Sequence, residues 1–125
     1  MVEFFKCNIC GSVLELVLGE EDTVSCCGTA REKLVAHTKA NYKEEHIPVV
    51  RKITNEHTVT VGSTMHPMTE AHSIKFIYLE TDKGGHRRDL NLKNKPECKF
   101  LLPLGEKATA CYAYCGTHGL WKKEL

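Results

Sequence analysis

The sequence has no excess of charge of one sign. Seventeen Lys and Arg residues stand against sixteen Asp and Glu, a formal net charge of +1 at pH 7 over 125 residues. Nucleic-acid and membrane-surface binders depend on a basic stripe, so neither partner is expected. Long hydrophobic runs are missing too. The apolar stretch over residues 13–18 is interrupted by Glu15 and is too short to span a bilayer. The opening Met1-Val2-Glu3-Phe4-Phe5-Lys6 has no basic region followed by a long apolar segment. No secretory signal is read there, and a cytoplasmic location is expected. No long helical period stands out, and no internal repeat is found. Nor can disulfides alone account for the cysteines. There are seven, an odd number, with two adjacent and two others separated by two residues. In a reducing compartment such clusters more often bind metal than form a disulfide framework.

A chain of this length fits one ordinary domain or two small ones, and composition separates two parts. The first 34 or so residues hold four of the seven cysteines and little that could form a core. A segment that small needs a metal or a partner to fold. Residues 35–45 are polar and read as a linker, so the boundary is drawn between domains 1–36 and 37–125. The second part alternates in the manner of half-buried strands. Val59 and Val61 share a face; Ile74, Phe76 and Tyr78 share another, with Ile77 and Leu79 opposite; Phe100 and Leu102, then Tyr112 and Tyr114, repeat the pattern. Turn signals stand between them at Gly62-Ser63, Asp82-Lys83-Gly84-Gly85, Asn94-Lys95-Pro96 and Gly105. The expected fold is mostly β, with an antiparallel sandwich following a small metal-stapled domain.

Two constellations carry chemistry. Cys7-Asn8-Ile9-Cys10 is a Cys-x-x-Cys knuckle followed by Gly11, and Cys26-Cys27-Gly28 comes later. Four thiolates at this spacing can surround one tetrahedral ion, iron or zinc. Adjacent ligands cannot both sit in knuckle loops, so a distorted tetrahedron is expected. A zinc staple is the plain structural alternative. A redox dithiol is disfavoured because no βαβ context surrounds Cys7 and Cys10. The second constellation comprises His46-Ile47-Pro48, His66-Pro67-Met68 leading to His72, and Cys115-Gly116-Thr117-His118-Gly119-Leu120-Trp121. Each piece alone is weak, but together they offer four imidazoles and one thiolate to a single ion. Five ligands exceed the four of a structural zinc site, and a sixth open position would suit redox chemistry on a small molecule.

In order along nearly the whole chain run Cys-x2-Cys-x15-Cys-Cys, Glu-x-His-x-Pro, His-Pro-Met-x3-His and Cys-x-x-His-Gly-x-Trp. This succession resembles desulfoferrodoxin, the two-iron superoxide reductase family. The resemblance implies a desulforedoxin-like first domain in which Cys7, Cys10, Cys26 and Cys27 hold one iron. It implies an immunoglobulin-like β-sandwich in which His46, His66, His72 and His118 bind a catalytic iron in one plane, with Cys115 axial and opposite an open position. The implied activity is one-electron reduction of superoxide to hydrogen peroxide, with re-reduction by rubredoxin or a similar small carrier. Pairing into a homodimer is implied as well.

One departure bears on the activity. The family pattern at the first histidine is Glu-Lys-His, whereas this chain has Glu44-Glu45-His46. Glu44 matches the glutamate that closes the sixth position in the oxidised state, and Glu45 stands where a superoxide-attracting lysine is expected. A carboxylate there has the wrong sign for steering an anion, and Lys43 is the neighbouring cation that could compensate. The alternative is therefore a non-enzymatic iron electron-transfer protein with weak superoxide activity. His37, His57 and His86 have no family counterpart and are expected to be solvated. Cys98 and Cys111 are expected as small buried hydrophobes or free thiols. Met65 and Met68 are not expected to be ligands, and Trp121 is expected to pack near the second site or simply in the core.

Overall fold

The computed structural model describes residues 1–39, 46–62 and 65–125, and the chain divides into two compact units, Met1–Val35 and Ala36–Leu125. In the first unit, β1 (Phe4–Lys6) is the centre of a small antiparallel sheet, between β2 (Val13–Glu15) and β5 (Glu32–Lys33). A hairpin of β3 (Ser25–Cys26) and β4 (Thr29–Ala30) follows one turn of 3-10 helix at Glu21–Thr23. Among the described residues of this unit, only Phe4, Phe5 and Cys7 are buried and apolar. Val17 and Leu18, inside the apolar stretch of the sequence, lie almost fully in solvent. The stretch contributes one short strand and no core.

The second unit is a two-layer antiparallel sandwich. One sheet has the order β10-β7-β6, from β6 (Pro48–Ile53), β7 (Glu56–Val61) and β10 (Glu97–Leu101). The other has the order β12-β11-β8-β9, from β8 (Ile74–Thr81), β9 (Gly84–Asp89), β11 (Ala108–Cys115) and β12 (Gly119–Glu124). This is the seven-strand, three-plus-four arrangement of an immunoglobulin-like sandwich, as expected. Period-two side-chain alternation builds the core: Val59 and Val61 from β7, Cys98 and Phe100 from β10, Ile77 and Leu79 from β8, and Cys111, Ala113 and Cys115 from β11. Ile77 is completely buried and faces Ala113 across the ladder. Ile77→Ala is expected to lower unfolding free energy by about 2–5 kcal/mol, seen as an earlier denaturation midpoint with an unchanged slope. Among the described residues, no helix is long and apolar enough to cross a membrane.

Three sequence readings are corrected. Ile74 joins the core with Ile77 and Leu79 instead of sharing a face with Phe76 and Tyr78. The cause is a register shift: Phe76 pairs with Tyr114 and Ile74 with Cys115, so Lys75 is an extra residue with nothing opposite it. Such a bulge re-aims the side chains on one side of it. Second, Gly84 and Gly85 belong to β9 rather than to a turn. The Tyr78 side chain lies so close over Gly85 that a Cβ there would fall 2.0 Å from its hydroxyl oxygen. Third, His57 is buried, and His86, half-exposed, is tied to a carboxylate. His57 is buried on the inward face of β7 in line with Val59 and Val61. His86 is half-buried, its Nε2 2.7 Å from Glu106 Oε2. That imidazole, with the Thr81 hydroxyl that donates to the same oxygen, holds the Glu106 carboxyl below its ordinary range.

Candidate metal centres

In the first unit, the knuckle forms because Gly11 takes a left-handed φ of 77° and its N–H donates to the Cys7 carbonyl at 2.9 Å. The Cys10 N–H points at Cys7 Sγ, 3.5 Å away. The facing pair is set by the hairpin: Cys26 pairs with Thr29, leaving Cys27 and Gly28 as a two-residue turn. Both have positive φ, 52° and 74°, the requirement of a type I′ turn. This is how adjacent ligands reach one point, with Cys26 ending the strand and Cys27 in the turn.

All four sulfurs lie within 4.8 Å of one another. Cys10 Sγ is 3.5 Å from Cys26 Sγ, which is 3.8 Å from Cys27 Sγ. A tetrahedron with metal–sulfur bonds of about 2.3 Å has edges of about 3.8 Å, so the set fits a single ion. Its protonation behaviour agrees. The Ser12 hydroxyl and backbone N–H hold the Cys10 thiol down to about 6, and the Cys10 N–H lowers Cys7. The Cys10 side chain, followed by that of Cys26, pushes Cys27 up to about 12; Cys10 likewise raises Cys26. Four crowded thiols resist full ionisation without a cation at their centre, and a coordinated cation reverses that preference.

In the second unit, His46 precedes β6, His66 follows β7, His72 precedes β8, and Cys115 and His118 flank the β11–β12 turn. One end of the sandwich therefore supplies every group, from both sheets. His46, His66, His72 and Cys115 bring their donor atoms within 4.8 Å of one another. His118 joins through Nδ1, which is 3.1 Å from His46 Nε2, 3.1 Å from His72 Nε2 and 3.8 Å from Cys115 Sγ. One imidazole N–H could satisfy only one of those three neighbours, whereas a central cation would satisfy all of them.

The rings form a square. Centroid separations run 4.6 Å for His46–His66, 4.4 Å for His66–His72, 4.8 Å for His72–His118 and 4.8 Å for His118–His46. His46–His72, at 5.8 Å, is a diagonal. Neighbouring nitrogens bound at about 2.1 Å in a square plane stand about 3.0 Å apart, close to the 3.1 Å observed. His66 Nδ1 donates to the Pro67 carbonyl at 2.7 Å, which fixes the tautomer and places the lone pair on Nε2. Trp121 stacks on His46 at 4.7 Å and donates Nε1–H to the His118 carbonyl at 3.2 Å. It positions two members of the square, more than core packing alone would require.

Lys43, Glu44 and Glu45 lie outside the described residues. Cys98 and Cys111 sit in the sandwich core, where burial pushes their thiols up and keeps them protonated. Met68 accepts a hydrogen bond from the Ile74 N–H through its sulfur, and Met65 is exposed, so neither thioether enters the site. His37 remains exposed, with its ring 4.7 Å from Trp121. A cavity of about 450 Å3 at the other end of the sandwich, against His57, Leu104 and Glu106, adjoins none of these ligands.

Comparison with known proteins agrees with this geometry. Residues 38–124 match the desulfoferrodoxin family model. The desulfoferrodoxin of Syntrophotalea carbinolica is 37% identical over 98% of this chain and 96% of its own. The crystal structure of the superoxide reductase from Treponema pallidum superposes with a TM-score of 0.85 at 28% identity, covering 99% of this chain and 98% of that one. A one-iron superoxide reductase from Giardia intestinalis superposes with a TM-score of 0.56 at 30% identity, covering 66% of this chain and all of that one.

Proposed function

The chain belongs to the desulfoferrodoxin family, and we propose that it reduces superoxide to hydrogen peroxide at an iron held by His46, His66, His72, His118 and Cys115. It is an oxidoreductase. A second iron held by Cys7, Cys10, Cys26 and Cys27 is part of the same reading, as are the division of labour between domains 1–36 and 37–125, re-reduction by rubredoxin or a similar small carrier, and a homodimer. The observation that carries the proposal is the square of four imidazoles with the Cys115 sulfur beside it. Four neutral nitrogens and one thiolate would hold an iron without exhausting the ligands it accepts, so that a small molecule could bind it as well.

Each superoxide takes up one electron and two protons to become hydrogen peroxide, and the bound iron supplies that electron. The residues of the chain prepare the site for it. The Pro67 carbonyl, by accepting from His66 Nδ1–H, raises the basicity of that imidazole at Nε2. Trp121 fixes the His46 ring and the His118 backbone, so two corners of the square are pre-set. Full burial of His46 and Cys115 keeps bulk water from competing for the ligand positions. By the resemblance alone, Glu44 would be the carboxylate that closes the open position in the oxidised state. Glu45, a carboxylate where the family pattern has lysine, favours a second reading in which the irons pass electrons and superoxide reacts slowly.

One measurement separates the two. The iron-loaded chain is reduced without oxygen and given limiting superoxide, and peroxide is counted per superoxide consumed. The expected ratio is about one, with the histidine iron oxidised in step. A ratio of about one half without net iron oxidation would mean dismutation and would sink the proposal. Little iron oxidation beside fast electron exchange with rubredoxin would establish the carrier reading.

A further inference from the structure

We infer that Lys75 acts on the histidine–cysteine centre through Cys115 as a positioning residue, its ammonium favouring the reduced metal. The inference rests on the iron reading above and adds a residue that the ligand set does not contain.

Three observations place the charge. First, Lys75 is the bulged residue of β8: the residues on either side pair with Tyr114 and Cys115, and Lys75 pairs with nothing on β11. Bulges at the rim of a sheet re-aim a side chain, and this one falls between the residues paired with Tyr114 and with Cys115, the proposed thiolate ligand. Second, the lysine side chain runs over Gly116, the residue after Cys115. A Cβ at Gly116 would lie 2.7 Å from Lys75 Cε and 3.7 Å from Nζ. Third, the backbone at Gly116 does not call for glycine. Its φ is outside the left-handed region that Gly105 and Gly119 occupy, and its N–H makes an ordinary bond to the Ser73 carbonyl at 3.0 Å. What glycine supplies here is room for the lysine.

Lys75 makes no ion pair among the described residues, so its charge is not cancelled locally. Reduction lowers the charge of the centre by one unit, and a cation lying over Gly116, the residue next to the proposed thiolate ligand, stabilises the lower-charge state. Because Lys75 is exposed, water and salt screen the effect to a several-fold bias.

The test uses the full-length, iron-loaded chain and reads the ferric/ferrous equilibrium of the histidine–cysteine centre against redox dyes. Lys75→Met is expected to shift that equilibrium about threefold to tenfold toward the ferric form, tenfold being 59 mV for a one-electron couple. Lys75→Arg, which keeps the charge, should stay within about twofold of the parent. Gly116→Ala should shift the equilibrium in the same direction as Lys75→Met, because the new methyl evicts the flexible end of the lysine. Added to Lys75→Met, it should do nothing more. The inference is overturned if Lys75→Met leaves the equilibrium unchanged, or if Gly116→Ala shifts it equally with and without the lysine. In either case a parent iron that still cycles with superoxide leaves the proposed function standing. A parent centre that fails to cycle removes both.

Discussion

Cys115→Ser is expected to lower peroxide formation from superoxide by more than about a hundredfold while leaving the sandwich folded. Substituting groups that only support a ligand costs 10–100-fold in metal affinity or activity, and loss of the ligand itself should exceed that range. Serine is nearly isosteric with cysteine, but its hydroxyl stays protonated where a thiol can ionise, so the soft anionic donor is lost. Cys115 is completely buried among core residues. A hydroxyl there without a partner costs about 1–3 kcal/mol, a tolerable loss for a core of this extent. The check combines iron content per chain, a melting curve and the superoxide pulse described above. Cys111→Ser is the control. Its thiol is equally buried on the same strand but touches no ligand, so it should carry a similar stability cost with peroxide yield intact. Equal yields from the parent and Cys115→Ser would remove Cys115 from the mechanism. A similar loss in both variants would show that the core, and not the ligand, had been tested.

The candidate ligands are legible in the sequence because metal chemistry narrows residue type and spacing together. Cysteines and histidines in order along the chain name all nine residues that the structure gathers into two clusters. Their arrangement was not legible. Which nitrogen of His118 faces the centre, and which histidines are neighbours in the square, depend on loops joining two sheets. The sandwich could be read from Val59, Val61, Ile77 and Leu79 because alternation reports which side is buried. Alternation fails where a bulge inserts a residue, which is why period two puts Ile74 on the wrong face and gives Lys75 no signal. It also fails at the edge: β9 reads Gly-Gly-His-Arg-Arg-Asp and is a strand only because β8 pairs with it. His57 could have been found, since it lies in phase with Val59 and Val61. A histidine on an apolar stripe invites being discounted as an exception to the pattern.

Removal of metal from the four-cysteine site should unfold residues 1–35 and spare the sandwich. The physical reason is the poverty of the first unit: three buried apolar side chains among the described residues, one of them the proposed ligand Cys7, and strands of two or three residues. A segment of that size cannot offset its own chain entropy by burial. Structural metal sites in comparably small domains contribute on the order of 10 kcal/mol of binding free energy, which is also folding free energy. Cys7→Ser should therefore abolish amide protection throughout residues 1–35 by hydrogen exchange, and a chelator that empties this site should do the same to the parent. The sandwich has its own core and should keep its protection. In a single turnover with reduced protein, Cys7→Ser should retain peroxide yield within about twofold, because every group proposed for that step comes from the second unit. If yield holds in one turnover but the rate falls under continuous supply from an electron donor, the cysteine iron relays electrons; if both hold, it is a staple. Persistence of protection in residues 1–35 without metal would contradict both roles as folding determinants, since the unit would then have a source of stability other than its cysteine-bound ion.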